Sequence, residues 1–109
     1  MPGPRNAADA LRWIQVAVQQ GRYHPSAHFY DRMAEEPLAF DDILWTIEQP
    51  FVCETYDRPP KHGGTCWRIK GRNVLNTRNV WVGCEAYLDA KKHRCILCTA
   101  FDPDSDKKG

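Results

Sequence analysis

The sequence predicts an α+β domain in which short N-terminal helices pack on one face of an antiparallel sheet of about four strands. Two observations support this prediction. Apolar residues recur at helical spacing in the first half of the chain, whereas the second half alternates apolar with polar residues and is rich in β-branched and aromatic types. Clusters of Gly, Pro and Asn also divide the second half into pieces of strand length.

Three short helices are expected in the first half. Asn6 is suited to cap the first helix, which contains an amphipathic apolar series. Ser26 is suited to cap a second helix over residues 28–36, and a third helix is expected over residues 41–49. A proline follows each of the last two helices and ends it.

The second half contains the expected strands. Residues 51–57, 65–70 and 94–101 have strand patterns, and residues 74–88 form one long strand or two shorter ones. The apolar character of residues 94–101 favours a central position in the sheet. Residues 59–64, which are rich in Pro and Gly, are expected to form a loop.

The alternation along one strand predicts which face of the sheet packs against the helices. Cys66, Arg68 and Lys70 alternate along it with Trp67 and Ile69. Because successive side chains of a strand point to opposite faces, the apolar pair faces the helices and the two cations face the other side. A ligand is therefore expected on the face that the helices leave open.

The length and composition indicate one globular domain. With 109 residues, 42% hydrophobic and 27% charged, the chain is neither wholly disordered nor fibrous. We expect a single domain over residues 1–101 and a flexible polar tail over residues 102–109. No apolar run approaches the roughly 20 residues that cross a bilayer, and residues 1–8 lack a signal-peptide pattern, so a cytoplasmic protein without a membrane partner is expected.

The charges are distributed unevenly along the chain. The formal net charge is only +1, but residues 1–57 hold four arginines and nine acids. Residues 58–81, here the basic block, hold six Lys or Arg residues and no acid. Such an unbalanced segment favours contact with a polyanion such as RNA, the alternative being an ordinary solvated strand face.

The five cysteines favour buried reduced thiols over a cofactor site. An odd number excludes a complete set of internal disulfides. Cys95 and Cys98 have a spacing that suits zinc, but residues three apart in a strand point to opposite faces, and structural zinc sites usually have two such pairs. A redox Cys-x-x-Cys motif normally opens a helix, which this one does not. We therefore expect neither a metal nor another cofactor.

Short motifs resemble those of a known bacterial family. Residues 26–33, Ser-Ala-His-Phe-Tyr-Asp-Arg-Met, look like a Ser-x-His and Arg-Met signature, and they are followed by Tyr56 near a strand end, a glycine-rich stretch, and a final Thr-x-aromatic motif that begins at Thr99. On these residues, the region 23–101 resembles the family designated domain of unknown function forty-two fifty-eight. Its members resemble the metal-independent ribonuclease superfamily that includes RelE, barnase, EndoU and tRNA-cleaving colicin domains. The resemblance implies a RelE- or barnase-like fold and a toxin-like ribonuclease activity.

His28 and Arg32 are the first two catalytic candidates. They are four residues apart on the expected second helix and so share a face, while Phe29 and Met33 share another. A metal-free ribonuclease has to deprotonate a 2′-hydroxyl, stabilise a pentavalent phosphate and protonate a leaving oxygen. Histidine exchanges protons near neutral pH and a guanidinium binds phosphate, so the pair suits two of these roles. The alternative is that His28 bonds to a neighbouring loop and Arg32 pairs with a nearby acid.

The basic block supplies further candidates. Arg68 is the third catalytic candidate, since its guanidinium can hold a scissile phosphate through two hydrogen bonds. Lys70 and Arg72 are substrate-binding candidates as point charges near the same phosphate chain.

The remaining candidates depend more on the resemblance. It implies that Thr99 belongs to the catalytic group and that Tyr56 helps to bind substrate, although both residues can simply end strands. His62 is a substrate-binding candidate in a glycine-rich loop, for which a flexible surface loop is the alternative. The four tryptophans can stack on bases, but their apolar patterns favour core packing for at least three of them.

Together these residues predict a toxin-like, metal-independent endoribonuclease that acts on RNA by general acid–base chemistry. The alternative is a non-catalytic module on the same fold, which binds RNA or a protein, in a toxin–antitoxin or defence system. RNA is the expected ligand, and a cognate antitoxin or immunity protein is the candidate protein partner.

Overall fold

The computed structural model describes residues 3–104, which contain three helices and five strands. The α+β class is therefore confirmed. The longest helix described has 13 residues, and none of these helices is long and apolar enough to cross a membrane. In chain order the elements are α1 (Ala7–Gln19), β1 (Tyr23–Pro25), α2 (Ala27–Glu35), α3 (Phe40–Glu48), β2 (Val52–Thr55), β3 (Thr65–Arg72), β4 (Asn79–Asp89) and β5 (Lys92–Phe101).

Polar side chains cap the first two helices, as the sequence predicts. The Asn6 side chain accepts a hydrogen bond from the backbone N–H of Asp9 at 2.9 Å. Ser26 Oγ accepts one from the backbone N–H of Phe29 at 3.1 Å. Each cap satisfies an amide group that the first helical turn leaves without a helical partner.

The sheet differs from the prediction in strand number and in direction. Its five strands are ordered β1-β5-β4-β3-β2, with β1 parallel to β5 and the other neighbours antiparallel. The predicted antiparallel sheet of about four strands is thus corrected to a mixed sheet of five. The missed strand β1 has three residues, too few to show an alternating pattern. It also separates α1 from α2, so the helices are not an uninterrupted N-terminal block. The last strand, β5, was predicted to be central; it lies inside the sheet between β1 and β4, whereas the middle strand is β4.

One face of the sheet forms the core. Both α1 and α3 pack against it, and α2 lies beside β5. Phe29 of α2 is fully buried in this core and Met33 packs against it, which leaves His28 and Arg32 on a different side of the helix, as predicted. The alternation of β3 is also confirmed. The sheet contributes these side chains to the core: Trp67, Ile69, Val80, Val82, Cys84, Ala86, Cys95, Leu97 and Ala100.

The start of β4 was predicted too early. Residues 73–78 form the turn between β3 and β4, in which Asn73 Oδ1 accepts hydrogen bonds from the backbone N–H groups of Thr77 and Arg78. Val74 and Leu75 are exposed in this turn, although their side chains favour strands. The Asn73 hydrogen bonds therefore outweigh the local strand preference.

Asp102, the first residue of the predicted polar tail, contacts the rest of the domain. Asp102 is only 2% exposed, and its carboxylate lies 3.3 Å from Arg78 Nη1. Its backbone N–H also donates to Glu36 Oε1 at 2.9 Å. The domain therefore extends past residue 101, and residues 105–109 of the expected tail lie outside the described residues.

Candidate functional site

The face of the sheet opposite α1 and α3, here the open face, brings the cations of β3 next to β4 and β5. Residues that pair between β3 and β4, and then between β4 and β5, form rows across three strands. Two such rows are Arg68–Gly83–Thr99 and Lys70–Trp81–Phe101.

Arg68 and Lys70 stack on aromatic rings. Arg68 Cζ lies 4.8 Å from the centroid of the Tyr56 ring and 5.1 Å from that of Trp81. Lys70 Nζ lies 4.1 Å from the Trp81 ring, which also contacts Phe101 with 5.7 Å between centroids. We call these five residues the Arg–aromatic patch. Each cation–ring contact stabilises the folded protein by about 0.5–2 kcal/mol. It leaves N–H groups of the cation available to a ligand.

A glycine makes this stacking possible. A Cβ atom on Gly83 would lie 2.6 Å from Cε2 of Tyr56 and 3.0 Å from Cγ2 of Thr99. The Tyr56 ring therefore lies directly over the backbone of β4, in the space that a side chain would fill. Gly83 thus sets the position of Tyr56, and through it the position of Arg68.

The basic block has an acidic neighbour from outside its own sequence window. Glu54 of β2 pairs opposite Arg68, and its Oε2 lies 3.9 Å from Arg68 Nη1 and 3.0 Å from Lys70 Nζ. The sequence prediction rests on the charges within the block alone, whereas sheet pairing brings an acid from the neighbouring strand β2. The charge argument for a polyanion is therefore weaker than predicted. However, Glu54 is 40% exposed, and a pair of this kind contributes only about 0–1 kcal/mol, so a phosphate can replace it.

Arg32 lies against the patch from the side of α2. Its Cζ is 5.1 Å from the centroid of the Phe101 ring, and its Nη2 is 3.2 Å from Oε2 of the buried Glu36. The ion pair that the sequence analysis considered as the alternative role of Arg32 is therefore present. The same guanidinium also covers one ring of the Arg–aromatic patch.

A cleft of about 180 Å³ lies between α2 and the loop that joins β2 to β3. His28 of α2 lines it, as do Arg58, Lys61 and His62 of the loop. We call it the two-histidine cleft. It is smaller than the roughly 300–1,000 Å³ typical of drug-sized ligands, so it suits a single small group. Arg58 and Lys61 in the lining favour an anionic group, and the Glu85 carboxylate also lines the cleft.

The buried carboxylate of Glu85 holds this loop in place. Glu85 is 2% exposed and accepts hydrogen bonds from the backbone N–H groups of Lys61 at 2.9 Å, His62 at 2.7 Å and Gly64 at 3.1 Å. Burial alone would raise the pKa of the Glu85 carboxyl from its ordinary 4.5, but these hydrogen bonds outweigh burial and lower the pKa. The carboxylate is therefore ionised at neutral pH, and the loop backbone is anchored at three points rather than loosely attached.

Two cysteine thiols also line the cleft. Burial raises the pKa of Cys66 to about 11 and that of Cys98 to about 12, so both thiols are protonated and weakly nucleophilic at neutral pH. Cys95 packs in the core whereas Cys98 faces the cleft, which confirms that this pair points to opposite faces. Within residues 3–104, no group of three or more His, Cys, Asp or Glu side chains is arranged to hold a metal ion.

Arg58 connects the cleft to the patch. It lines the cleft, and its Cζ lies 5.7 Å from the centroid of the Tyr56 ring, on which Arg68 also stacks. The predicted site residues therefore fall into two adjacent groups. His28 and His62 line the cleft, Tyr56, Arg68 and Lys70 belong to the patch, and Arg32 and Thr99 lie against the patch.

Arg72 lies apart from both groups. Its Nε and Nη2 donate to Asn76 in the β3–β4 turn, at 3.0 Å each, and its Nη1 donates to Asn79 at 3.1 Å. These bonds favour a structural role in the turn over the predicted contact with substrate.

Arg58, Glu85, Trp81 and Phe101 have no individual role in the sequence prediction. Arg58 was counted only as charge, since it lies between the predicted strand 51–57 and the predicted loop 59–64. The sequence does contain a signal for Glu85, because an acidic residue within an apolar strand usually has a hydrogen-bond partner in the protein interior. Trp81 was missed because core packing was expected for at least three tryptophans, whereas only Trp67 is buried and Trp13 packs partly buried against the core.

No protein-family model matches the chain, and no curated protein matches it either.

Proposed function

We propose that this chain is a toxin-like, metal-independent endoribonuclease that binds RNA on the open face of the sheet and cleaves it at the two-histidine cleft. The observation that carries the proposal is the contact between the two regions. Arg58 lines the cleft with His28 and also stacks on Tyr56 of the Arg–aromatic patch. A phosphodiester in the cleft would thus have neighbouring nucleotides over the patch.

The chemistry of each region suits one part of an RNA chain. Bases stack on aromatic rings, and stacking is worth about 1–3 kcal/mol per base whatever the sequence. Arginine binds phosphate through paired hydrogen bonds, a geometry that also suits a pentavalent phosphorane. In the proposed reaction, His28 accepts the 2′-hydroxyl proton and Arg58 stabilises the phosphorane charge. Arg68, with Lys70 and Tyr56, holds the adjoining nucleotide, and Arg32 and Thr99 complete the border of that surface.

Cleavage of RNA by the purified protein tests the proposal. We expect fragments from tRNA or messenger RNA in EDTA as well as without it, and a loss of about 10²–10⁴-fold in rate for His28→Ala. The matched control is His24→Ala, because His24 is exposed on β1 and does not line the cleft. Intact RNA at high protein excess, or equal rates in His28→Ala and wild type, would contradict the proposal.

The second candidate function is RNA binding without cleavage. The Arg–aromatic patch supports it, because stacking and charge require no proton transfer. Here salt-sensitive retention of uncut RNA is expected, together with weaker retention for Arg68→Ala/Lys70→Ala. The control Arg12→Ala/Lys92→Ala removes the same charge from exposed positions outside the patch. Equal retention by the two double variants would refute a binding role of this surface.

The proposed activity also requires a neutralising partner in the cell that makes it. We propose a cytoplasmic antitoxin or immunity protein with an acidic surface, which competes with RNA for the Arg–aromatic patch. A small acidic protein encoded beside this chain is the expected candidate. Adding it in equimolar amount should stop cleavage, and added RNA should slow formation of the complex.

A further inference from the structure

We propose that His62 is a second proton-transfer residue, which protonates the leaving oxygen while His28 accepts the proton of the attacking hydroxyl. This inference rests on the proposed ribonuclease function. Cleavage in one step needs a base and an acid at the same time, and one imidazole cannot be both. His62 lines the same cleft of about 180 Å³ as His28, but it comes from a different element.

Two contacts fix the orientation of the His62 ring. Its Nδ1 lies 3.4 Å from Oε1 of Glu85, and its ring stacks on Tyr87 with 5.0 Å between centroids and an angle of 30°. These contacts leave Nε2 as the nitrogen that a ligand in the cleft can reach. The side chain is 45% exposed, so a substrate oxygen can approach it.

Glu85 is built to support a proton donor at this position. Its carboxylate cannot move away, because three backbone N–H groups of the loop bind it. An ionised carboxylate beside Nδ1 accepts a charge-assisted hydrogen bond from the imidazolium form, which is the form that can donate a proton from Nε2. His28 lines the cleft from the first turn of α2 and not from the loop that Glu85 anchors. This difference assigns the acid role to His62 and the base role to His28.

The other charged and titratable groups around His62 are compatible with this assignment. Arg58 and Lys61 of its own loop supply positive charge for the phosphate. The thiols of Cys66 and Cys98, on β3 and β5, are protonated at neutral pH because burial raises their pKa values to about 11 and 12. Burial likewise raises the pKa of the Tyr87 hydroxyl on β4, so it is neutral too. Glu85 is thus the anion that faces the imidazole.

The reaction balances without any co-reactant. His28 takes the proton from the 2′-hydroxyl, and the 2′-oxygen forms a bond to phosphorus. The bond from phosphorus to the 5′-oxygen breaks, and that oxygen takes a proton from Nε2 of His62. The products are a 2′,3′-cyclic phosphate and a 5′-hydroxyl, and the two histidines have exchanged their protonation states, which exchange with water restores.

A change of leaving group tests the role of His62. After the wild-type cut site is mapped, an RNA oligonucleotide is made with sulfur in place of the bridging 5′-oxygen at that bond, since a thiolate leaves without a proton. On ordinary RNA we expect His62→Asn to lose about 10²–10⁴-fold in rate. On the sulfur-bridged RNA it should cleave within a few-fold of wild type, whereas His28→Ala should remain slow on both. The control His24→Asn should match wild type on both substrates.

The pH profile supplies an independent readout. A general acid must be protonated, so the wild-type rate on ordinary RNA should fall on the alkaline side, and this fall should disappear in His62→Asn. The substitution keeps the backbone N–H that binds Glu85, so the loop anchor and the melting temperature should be preserved. Equal losses on the two substrates, an unchanged alkaline limb, or full activity of His62→Asn would each overturn the role of His62. An inactive wild type would overturn the ribonuclease proposal itself, so the two failures are distinguishable.

Discussion

The two faces of the sheet differ in what their side chains do. Ile69, which points to the helices, is fully buried and belongs to the hydrophobic core cluster. Its neighbours in the strand, Arg68 and Lys70, point the other way, are partly exposed, and contact rings and a carboxylate. The same strand thus supplies both the core and the candidate site. Because the core is complete on one face, the other face can carry cations without a large cost in stability.

The open face also has residues whose main roles are structural, among them Gly83, Glu85 and the buried cluster of Tyr87, Ile96 and Cys98. The lack of a side chain at Gly83 leaves space for the Tyr56 ring, and Glu85 anchors the loop that carries His62. Substitutions in the core should therefore lower the free energy of unfolding most, and substitutions of Gly83 or Glu85 should lower it less. Substitutions of the cations or of their partner Glu54 should have the smallest effect.

The adjacent residues Ile69 and Lys70 provide the strongest contrast. Ile69→Ala should lower the free energy of unfolding by about 2–5 kcal/mol, because it removes buried methyl groups and leaves a cavity. Lys70→Ala should cost less than about 1 kcal/mol, since its ion pair and ring contact are partly exposed. Urea unfolding of the two variants measures both values. Similar losses for the two would show that the open face is also part of the stabilising core.

The sequence predicted this contrast because alternation is a local property of a strand. The cap residues Asn6 and Ser26 were predicted for the same reason, since each cap bonds to an amide only three residues away. Residues that depend on distant pairing were harder to predict. Strand β1 is defined by its partner β5, some seventy residues later along the chain, and not by a pattern of its own.

The candidate site was predicted in part for the same physical reason. His28, Arg68 and Lys70 carry suitable chemistry in their own residue types. Glu54 and Arg58, by contrast, matter because the sheet pairing brings Glu54 to Lys70 and the fold brings Arg58 to the cleft beside His28, which no local pattern encodes. The division of the site into a cleft and a patch likewise follows from the fold.

Glu85 should produce the largest effect on the open face. Glu85→Gln replaces one of the two carboxylate oxygens with an amide nitrogen, so at least one of the three backbone hydrogen bonds is lost. A hydrogen bond to a charged group contributes about 1.5–3 kcal/mol, so a loss of about 2–3 kcal/mol at pH 7 is expected. The folded-state pKa is lowered, so this stability is complete above the ordinary pKa of 4.5 and is lost as the pH falls through the lower folded-state value.

Urea unfolding of wild type and Glu85→Gln between pH 3 and 7 measures that dependence. The difference between the two proteins should shrink as the solution becomes more acidic. Glu48→Gln, an exposed position at the end of α3, is the control and should behave like wild type. A difference that is constant with pH would contradict the role given to the Glu85 carboxylate.

Gly83 should show a smaller effect that depends on Tyr56. Gly83→Ala should cost about 1–2 kcal/mol, because the added methyl group overlaps the Tyr56 ring and forces it to move. In a Tyr56→Ala background the same change should cost clearly less, since the overlapping ring is gone. The four proteins form a double-mutant cycle measured by urea unfolding. Additive costs would mean that the ring does not lie over Gly83 in solution.

Glu54 should have the smallest effect on stability and a clear effect on RNA binding. Glu54→Gln removes the carboxylate that lies 3.0 Å from Lys70 and 3.9 Å from Arg68, at a cost below about 1 kcal/mol because the pair is exposed. If RNA binds the Arg–aromatic patch, a phosphate has to replace this carboxylate, so the variant should bind RNA more tightly. The logarithm of its binding constant should also fall more steeply with the logarithm of salt concentration, by up to about one unit of slope. The control Glu48→Gln changes the net charge equally without approaching the patch. Equal retention by the two variants would show that the cations of β3 serve the sheet alone.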